Sequence, residues 1–427
     1  MLKDVTRVPA ILAAHDSLAT TLLDSSYFFA FAPIADTLTA TVLRSKSLAA
    51  SVPSSYRERW ALVLEWMAES FFGVDAHYGK TCYAALVTML AATGLSTDVR
   101  RVQRRMVEHM LACASVGSAM IGTSHASAAL DLALTHGLPD LVEEAKKAVR
   151  GRVRASEFEM KTISVPLTIP AQALGEVDSA VDSAPSAVAA VRILAGLVGL
   201  CDIPVEATER AAREQLQASP FLATIASEHH RDGKVVFRGN DPAAKLREAV
   251  ARSTSMHLAM VENLLHRALV RVQSRLTPET MVQAVAEWPW LDPKRIPWLQ
   301  RASERFHAGD FMSSGLIVAT QYEGVVRDLL RATGASGLKT DTDGVLMDET
   351  LGSLLSKQTL RAPLGEDHVS FVEYVMCDPE FGPNLRNELA HGSAAPWELT
   401  APRVFLMWLF LVRLTFFAPS SARTEAS

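Results

Sequence analysis

Apolar residues recur at helical spacing along most of the chain. Ser55 is placed to cap one such segment, SSYRERWALVLEWMAESFF, and Glu58 would complete a capping box. Similar segments follow to about residue 155, joined by short connections, so we predict helical hairpins in an N-terminal body of residues 1–155. The first segment carries apolar residues at intervals of four, three and four, on one helix face: Trp60, Leu64, Met67 and Phe71.

The pattern changes in the middle of the chain. Residues 161–170 alternate apolar side chains with Ser, Thr and Pro, which predicts a strand, and residues 234–239 are a second candidate. These two strands could pair as a small ribbon. Residues 175–190 are rich in Ser, Ala, Asp and Pro and predict a loop. Residues 156–245 are therefore predicted to be a connector with helices and a possible β-ribbon.

Helical spacing returns after residue 241. Asp241 followed by Pro242 predicts a capped helix start, and the long helix with its linker is assigned to residues 246–295. Residues 296–420 then predict a bundle of ordinary domain size. Its helices are expected at 298–308, 310–332, 347–357, 366–377, 384–391 and 402–417. The fold class predicted for the whole chain is mainly α.

The most apolar stretch, residues 404–417, is a candidate membrane segment. It is shorter than the roughly 20 residues that span a bilayer, and it contains Arg413. We therefore interpret it as the buried last helix of a soluble domain. The N-terminus lacks the layout of a signal peptide, because Asp4 and Asp16 interrupt its apolar residues. These patterns predict a cytoplasmic protein with no membrane partner.

Composition narrows the function classes. The 427 residues are 49% hydrophobic, enough for a large core, and carry a net charge of -5, which argues against a strongly basic nucleic-acid binder. An RNA contact would need a local basic patch. The four cysteines lie far apart and form neither a disulfide framework nor paired metal ligands, which suits a reducing compartment.

Most catalytic signatures are absent from the chain. It contains no phosphate-binding loop, no GxSxG elbow, no HExxH and no CxxC pair. Glu262 and His266 lie four residues apart on a predicted helix, but no further ligand accompanies them, so a helix-stabilising pair is favoured over a metal site. The doublet His229-His230 precedes a turn signal and is predicted to lie on a solvated loop. No cofactor or metal is predicted.

One short segment near the C-terminus, NLRNELAHG, contains a group of side chains that could act together in catalysis. On a helix Asn387 and His391 share a face, Arg386 must reach round from the side, and Gly392 is placed to end the helix. An imidazole beside a guanidinium, which matches phosphate geometry, suits phosphodiester chemistry. Spacing alone favours a structural role, in which Arg386 pairs with a nearby carboxylate, Glu388 or Glu380.

Residues 386–392 resemble the RNxxxHG signature of a family whose C-terminal domain belongs to the HEPN superfamily. Residues 316–334 are similar to that family's earlier helix, in which an apolar run leads to a Glu and then to an Arg four residues later; here these are Glu323 and Arg327. The family's short Leu-rich helix has a counterpart in ETLGSLLS, and its apolar closing helix in residues 404–417. The resemblance covers roughly the last third of the chain.

The resemblance implies a metal-independent endoribonuclease that acts as a homodimer, with two Arg/His motifs in one cleft. By this reading His391 is a general acid or base, Arg386 stabilises the transition state, and Asn387 orients His391 or the phosphate. Glu323 and Arg327 would pair and position the motif helix. Cleavage through the 2′-hydroxyl restricts the substrate to RNA and leaves a 2′,3′-cyclic phosphate and a 5′-hydroxyl.

The alternative is a HEPN-like module without catalysis, used for dimerisation or nucleotide binding on a helical scaffold for protein partners. The acidic total charge and the lack of a dense Lys/Arg run near Arg386 favour it. In either case the N-terminal helices are expected to bind a partner or sense a trigger. A setting in stress response or phage defence, as a toxin or antiviral protein, rests on superfamily analogy.

Overall fold

The computed structural model describes residues 5–23, 51–91, 96–159, 167–224, 227–231, 234–239, 241–340 and 342–417. The protein is mainly α-helical, as the periodicity predicted, with two small two-stranded sheets in the described residues. The chain forms two compact units. The first consists of residues Met1–Ile163 and His230–Val235, and the second of Ser164–His229 and Val236–Ser427.

The first unit is built from consecutive helices, and from the second helix onward each packs on the next. The periodic residues Trp60, Leu64, Met67 and Phe71 are all buried, so the predicted apolar face is confirmed. The capping box is wrong, because Pro53 is the N-cap and no side chain caps the helix. The helices are α1 (Val8–Leu23), α2 (Ser54–Ser70), α3 (Ala76–Ala91), α4 (Ser96–Ser115), α5 (Ala119–Thr135) and α6 (Pro139–Glu159).

The middle segment is more helical than predicted. The loop expected at residues 175–190 is wrong, because most of it lies in two helices whose Ala and Val side chains, such as Val177 and Val181, are buried in the core of the second unit. Small residues at spacings of three and four pack closely against a neighbouring helix, although their composition resembles that of a loop. The helices here are α7 (Ala171–Asp182), α8 (Ala187–Gly196), α9 (Val205–Ala218) and α10 (Pro220–Thr224).

A β-hairpin follows, formed by β1 (Ser227–Arg231) and β2 (Lys234–Gly239). The strand predicted at 234–239 is confirmed. In the described chain β2 pairs with β1. The strand expected at 161–170 lies largely outside the described residues, which omit 160–166, and residues 167–170 form no strand. The solvated loop predicted for His229-His230 is also wrong, since both lie half-buried in β1.

The second unit continues with a long helix and a compact group of shorter ones. The long helix starts as predicted: Asp241 accepts a hydrogen bond from the Ala244 amide, and Pro242 is in the first turn. The predicted helix 347–357 is shorter, because residues 346–348 form a strand. The elements are α11 (Pro242–Val272), α12 (Pro278–Ala286), α13 (Ile296–His307), α14 (Phe311–Ala332), β3 (Leu338–Thr340), β4 (Leu346–Asp348), α15 (Leu351–Leu355), α16 (Gln358–Leu364), α17 (Glu366–Met376), α18 (Leu385–Ala390) and α19 (Ala401–Leu414).

Helix α19 is the centre of the second unit's core. It packs against α8, α11 and α14, and every side chain from Val404 to Val412 is almost completely buried. Burial of this run explains why it is apolar without alternation. None of the described helices combines the length and the apolar character needed to cross a membrane.

Candidate functional site

Helix α18 carries the Arg386 and Asn387 side chains, and His391 follows it directly as the C-cap residue. It begins after Asn384, whose backbone is left-handed with φ 54°, a conformation that Asn adopts more readily than most residues. It ends at His391, and Gly392 follows with φ 68°, so the predicted glycine at the helix end is confirmed. Two strong backbone constraints therefore define a helix of only six residues.

Burial of two leucines fixes the orientation of this helix. Leu385 and Leu389 are 2% and 6% exposed, and α18 packs against α14 and α17. Residues four apart lie on the same helix face, so anchoring these two leaves Arg386, Asn387 and Glu388 half-buried beside the core and His391 exposed. The packing thus presents the polar side chains toward α14 and the solvent.

The Glu323 carboxylate is the centre of an ion-pair network beside α18. Glu323 lies in α14 and is 4% exposed. One of its oxygens, Oε2, accepts a hydrogen bond of 2.6 Å from Arg386 Nε, and the other, Oε1, accepts one from Arg327. Arg327 also donates to the backbone oxygen of Glu349 at 2.9 Å. The Glu323–Arg327 pair expected from the sequence is present, and Glu323 additionally holds the motif arginine.

Asn387 holds the other side of the Arg386 guanidinium. Its Oδ1 accepts a hydrogen bond from Arg386 Nη1 at 3.0 Å, and its Nδ2 donates to Asn384 Oδ1 at 2.7 Å. In the described chain Arg386 Nη2 makes no hydrogen bond. Arg386 is thus fixed at two of its nitrogens, with a third left to donate to an anion.

His391 stands apart from this network. Its side chain is exposed, and within the described residues its imidazole makes no hydrogen bond, either to Arg386 or to Asn387. Of the five residues predicted for the site, the structure brings Glu323, Arg327, Arg386 and Asn387 together in one network. Any joint action of His391 with Arg386 therefore requires a bound ligand or a second copy of the chain.

The carboxylates closest in sequence are not the partners of Arg386. Glu380 accepts from Arg247 at 3.0 Å, and Glu388 accepts from Asn384 Nδ2 at 3.1 Å. The pairing expected for a purely local structural role is therefore wrong. The partner of Arg386 is 63 residues away in the sequence, and a carboxylate on another helix fixes the position of α18 in the fold as well as that of the guanidinium.

Two contributors to the network were missed from sequence. Asn384 is 5% exposed and joins Asn387 to Glu388 through its amide, and the carbonyl of Glu349 holds Arg327. The Gly-Pro-Asn sequence indicates a turn, and the tolerance of Asn for φ > 0 could have indicated a left-handed residue before the helix. A backbone carbonyl leaves no signal in the sequence, because every residue has one.

The turn before α18 passes very close to the end of α17. A Cβ atom added at Gly382 would lie 1.8 Å from the backbone oxygen of Tyr374. We expect Gly382→Ala to destabilise the protein by at least about 2 kcal/mol, because backbone must move to relieve the overlap. Urea denaturation of the purified variant followed by circular dichroism measures this change.

Gly175→Ala is the matched control for this substitution. Gly175 lies within α7, and a Cβ atom there would meet nothing within 4 Å. Alanine is the better helix former, so this variant should gain up to about 1 kcal/mol. Equal stability of the Gly382→Ala and Gly175→Ala proteins would contradict the close approach of the turn to α17.

Other candidate sites have structural explanations. Glu262 accepts a hydrogen bond of 2.5 Å from Arg403 Nε of α19, which ties α11 to the central helix. Among the described residues no group of three or more His, Cys, Asp or Glu side chains could hold a metal ion. Burial raises the pKa of Cys377 to about 12, which leaves its thiol neutral.

Comparisons with known proteins do not assign this chain to a family. The chain matches no family model, no curated protein and no solved structure. The features that bear on function are the Glu323–Arg386 network, the exposed His391 and the sequence resemblance of residues 386–392.

Proposed function

We propose that the chain is a metal-independent endoribonuclease of HEPN type. The observation that carries the proposal is the Arg386 guanidinium, which Glu323 and Asn387 hold in place while Nη2 makes no hydrogen bond with described residues. A fixed donor of this kind stabilises charge on a phosphoryl group without having to reorganise during the reaction. The exposed His391, five residues further on, supplies an imidazole that can act as a general acid or base.

The proposed reaction uses the ribose 2′-hydroxyl as nucleophile. A histidine takes the proton of this hydroxyl as the 2′-oxygen bonds to phosphorus. The bond from phosphorus to the 5′-oxygen then breaks, and an acid gives a proton to the leaving oxygen. Arg386 stabilises the charge that builds on the phosphoryl oxygens. The products are a 2′,3′-cyclic phosphate and a 5′-hydroxyl, and no metal ion or cofactor takes part.

One copy of the chain supplies only part of this machinery. A single His391 cannot at once take one proton and give another, and in one copy it has no contact with Arg386. Two copies in a symmetric dimer would provide two imidazoles and two guanidiniums. We therefore propose a homodimer as the active form, with RNA bound where the two α18 helices meet.

A second candidate is the non-catalytic module used for dimerisation or nucleotide binding. The observation in its favour is that the carboxylate of Glu323 offsets the charge of Arg386. An arginine neutralised by a buried carboxylate is a weaker anion site than a free one. Under this alternative the network serves only to hold α18 against α14, and His391 has no chemical role.

Cleavage of RNA in EDTA by the purified full-length protein tests the two candidates. We expect the protein to cut a single-stranded RNA oligonucleotide and to leave the all-2′-deoxy version of the same sequence intact, because the nucleophile is the 2′-hydroxyl. Mass spectrometry of the products should show cyclic phosphate and 5′-hydroxyl ends.

The outcomes separate the candidates. Cleavage of the deoxy oligonucleotide at a similar rate, or products with 5′-phosphate ends, would contradict the proposed chemistry. A protein that is dimeric by light scattering and leaves a varied set of RNA sequences intact would favour the non-catalytic module.

A further inference from the structure

A cavity of about 620 Å³ lies within the second unit. Its size falls in the range of about 300–1,000 Å³ that is usual for small-molecule sites. Helices α9, α11 and α17 form its walls, and the turn that follows α17 closes one side. It lies apart from the Arg386 network, and no step of the proposed RNA cleavage uses it.

Hydrogen bonds between elements hold the cavity open. The amide of Ile203 donates to the Asp367 carbonyl at 3.2 Å, and the Val205 amide donates to Asp367 Oδ1 at 3.0 Å. His368, which is 2% exposed, contacts the carbonyl of Cys201 through Nδ1 at 2.6 Å. These bonds fix the start of α9 to the start of α17, so the walls exist without a ligand.

The lining of the cavity combines apolar side chains with an excess of acidic ones. The apolar surface comes from side chains such as Ile203, Val250 and Phe381. Of the charged residues in the lining, Arg247 is the one cation, and it is already paired with Glu380 at 3.0 Å. The carboxylates in the lining belong to Glu209, Glu366, Glu373, Asp378 and Glu380. An anionic ligand would therefore be repelled.

Glu373 is the carboxylate best placed to bind a ligand. Its Oε1 accepts a hydrogen bond from Arg361 Nη1 at 2.8 Å, and its Oε2 makes no hydrogen bond with the residues that the structure describes. Burial raises the pKa of this carboxyl, with Arg361 acting against the rise and Glu366 adding to it. The ionised group is thus poorly compensated by its protein neighbours, and a cation would compensate it.

Arg361 cannot supply that compensation in full, because Glu366 shares it. Its Nε and Nη2 donate to the two oxygens of Glu366 at 2.9 and 2.5 Å. One guanidinium therefore faces two carboxylates, which leaves a local excess of negative charge beside an apolar wall. A ligand with an apolar body and a cationic head matches both features.

We propose that this cavity binds an amphipathic organic cation, an aromatic or aliphatic body that carries an ammonium or guanidinium group. The cationic head of the ligand would contact Glu373 Oε2, and its apolar body would pack against the apolar side chains of the lining. This proposal is independent of the ribonuclease proposal, because binding is measured without RNA.

Three probes with one body and different charges test the proposal: tryptamine, tryptophol and indole-3-acetate. We expect tryptamine to bind the full-length protein at least about tenfold more tightly than neutral tryptophol, since a hydrogen bond to a charged group contributes 1.5–3 kcal/mol, or about tenfold per 1.4 kcal/mol. Indole-3-acetate should bind least. Isothermal titration calorimetry and ligand-observed NMR measure the three affinities.

Three variants locate the binding. Glu373→Gln should lower tryptamine affinity about tenfold and remove its advantage over tryptophol. Val250→Phe should weaken both by filling the cavity. Glu304→Gln, at an exposed carboxylate of α13 paired with Arg301, should bind as the wild type does. No binding of tryptamine at millimolar concentration, equal affinities of the three probes, or tryptamine binding unchanged in both cavity variants would overturn the proposal.

Discussion

His391→Ala is expected to lower the rate of RNA cleavage by about 100- to 10,000-fold, the usual contribution of general acid–base catalysis. The imidazole is the group that we propose to carry a proton to or from the RNA. Its removal in a dimer would take away both the base and the acid. Single-turnover cleavage of a labelled RNA oligonucleotide in EDTA, with enzyme in excess, measures the chemical step directly.

The folded state should hardly change in this variant. His391 is exposed and its side chain makes no hydrogen bond in the described chain, so surface substitution there should alter stability by less than about 0.5 kcal/mol. His266→Ala is the control, because it too removes an exposed histidine of the second unit. Cleavage that persists at the wild-type rate in His391→Ala would remove this residue from the mechanism.

Arg386 requires a different comparison, because its replacement also leaves Glu323 without one partner. Its substitution by lysine keeps the positive charge but cannot donate to both Glu323 and Asn387 in the observed geometry. If the Arg386→Lys protein is folded but cleaves RNA slowly, the guanidinium itself is needed for cleavage. His391 and Arg386 thus give separable information on proton transfer and on charge stabilisation.

The helical class of this protein follows directly from sequence, because the periodicity of apolar residues is a local property. Trp60 and Leu64 indicate a buried helix face, Asp241 indicates a capped helix start, and Gly392 indicates a helix end. The structure contains all three of these features. These signals depend on residues within a few positions of one another. Burial of α19 also follows from its sequence, since an apolar run too short for a membrane needs a core around it.

The middle segment shows where local composition misleads. Residues 175–190 contain the Ser, Asp and Pro of a loop, yet Val177 and Val181 are buried in the core of the second unit, and α7 packs on α11. That packing depends on residues about 80 positions further along the chain. A helix of small residues gains its stability from a close neighbour, and the sequence does not identify the neighbour.

In the candidate site, too, some features could be predicted from the sequence and others could not. The motif on α18 and the Glu323–Arg327 pair are both spaced within one helix, so the sequence could indicate them. The bond between Arg386 and Glu323 joins two helices, and nearer carboxylates were equally plausible partners. The role of Asn384 depends on a left-handed backbone that only the fold makes evident. Residues in one turn are predictable, whereas tertiary hydrogen bonds are not.

Glu323→Gln is expected to destabilise the protein by about 3 kcal/mol, because it leaves Arg386 without its carboxylate partner and Arg327 with the exposed Asp348 at 3.8 Å. The Glu323 side chain is 5% exposed, while those of Arg327 and Arg386 are 23% and 25% exposed. Solvent therefore screens part of the repulsion between the two guanidiniums, which places the loss at the lower end of the range for buried pairs. Urea denaturation followed by circular dichroism gives the change in free energy of unfolding.

A double-mutant cycle with Arg327→Met identifies the cause of this loss. If two uncompensated guanidiniums destabilise the variant, removing one of them should recover about 1 kcal/mol or more, so that the double variant is more stable than the sum of the single changes predicts. Glu304→Gln serves as the control for loss of an exposed carboxylate and should stay within about 0.5 kcal/mol of the wild type. Additive effects at Glu323 and Arg327 would contradict repulsion between the two guanidiniums as the cause of the loss.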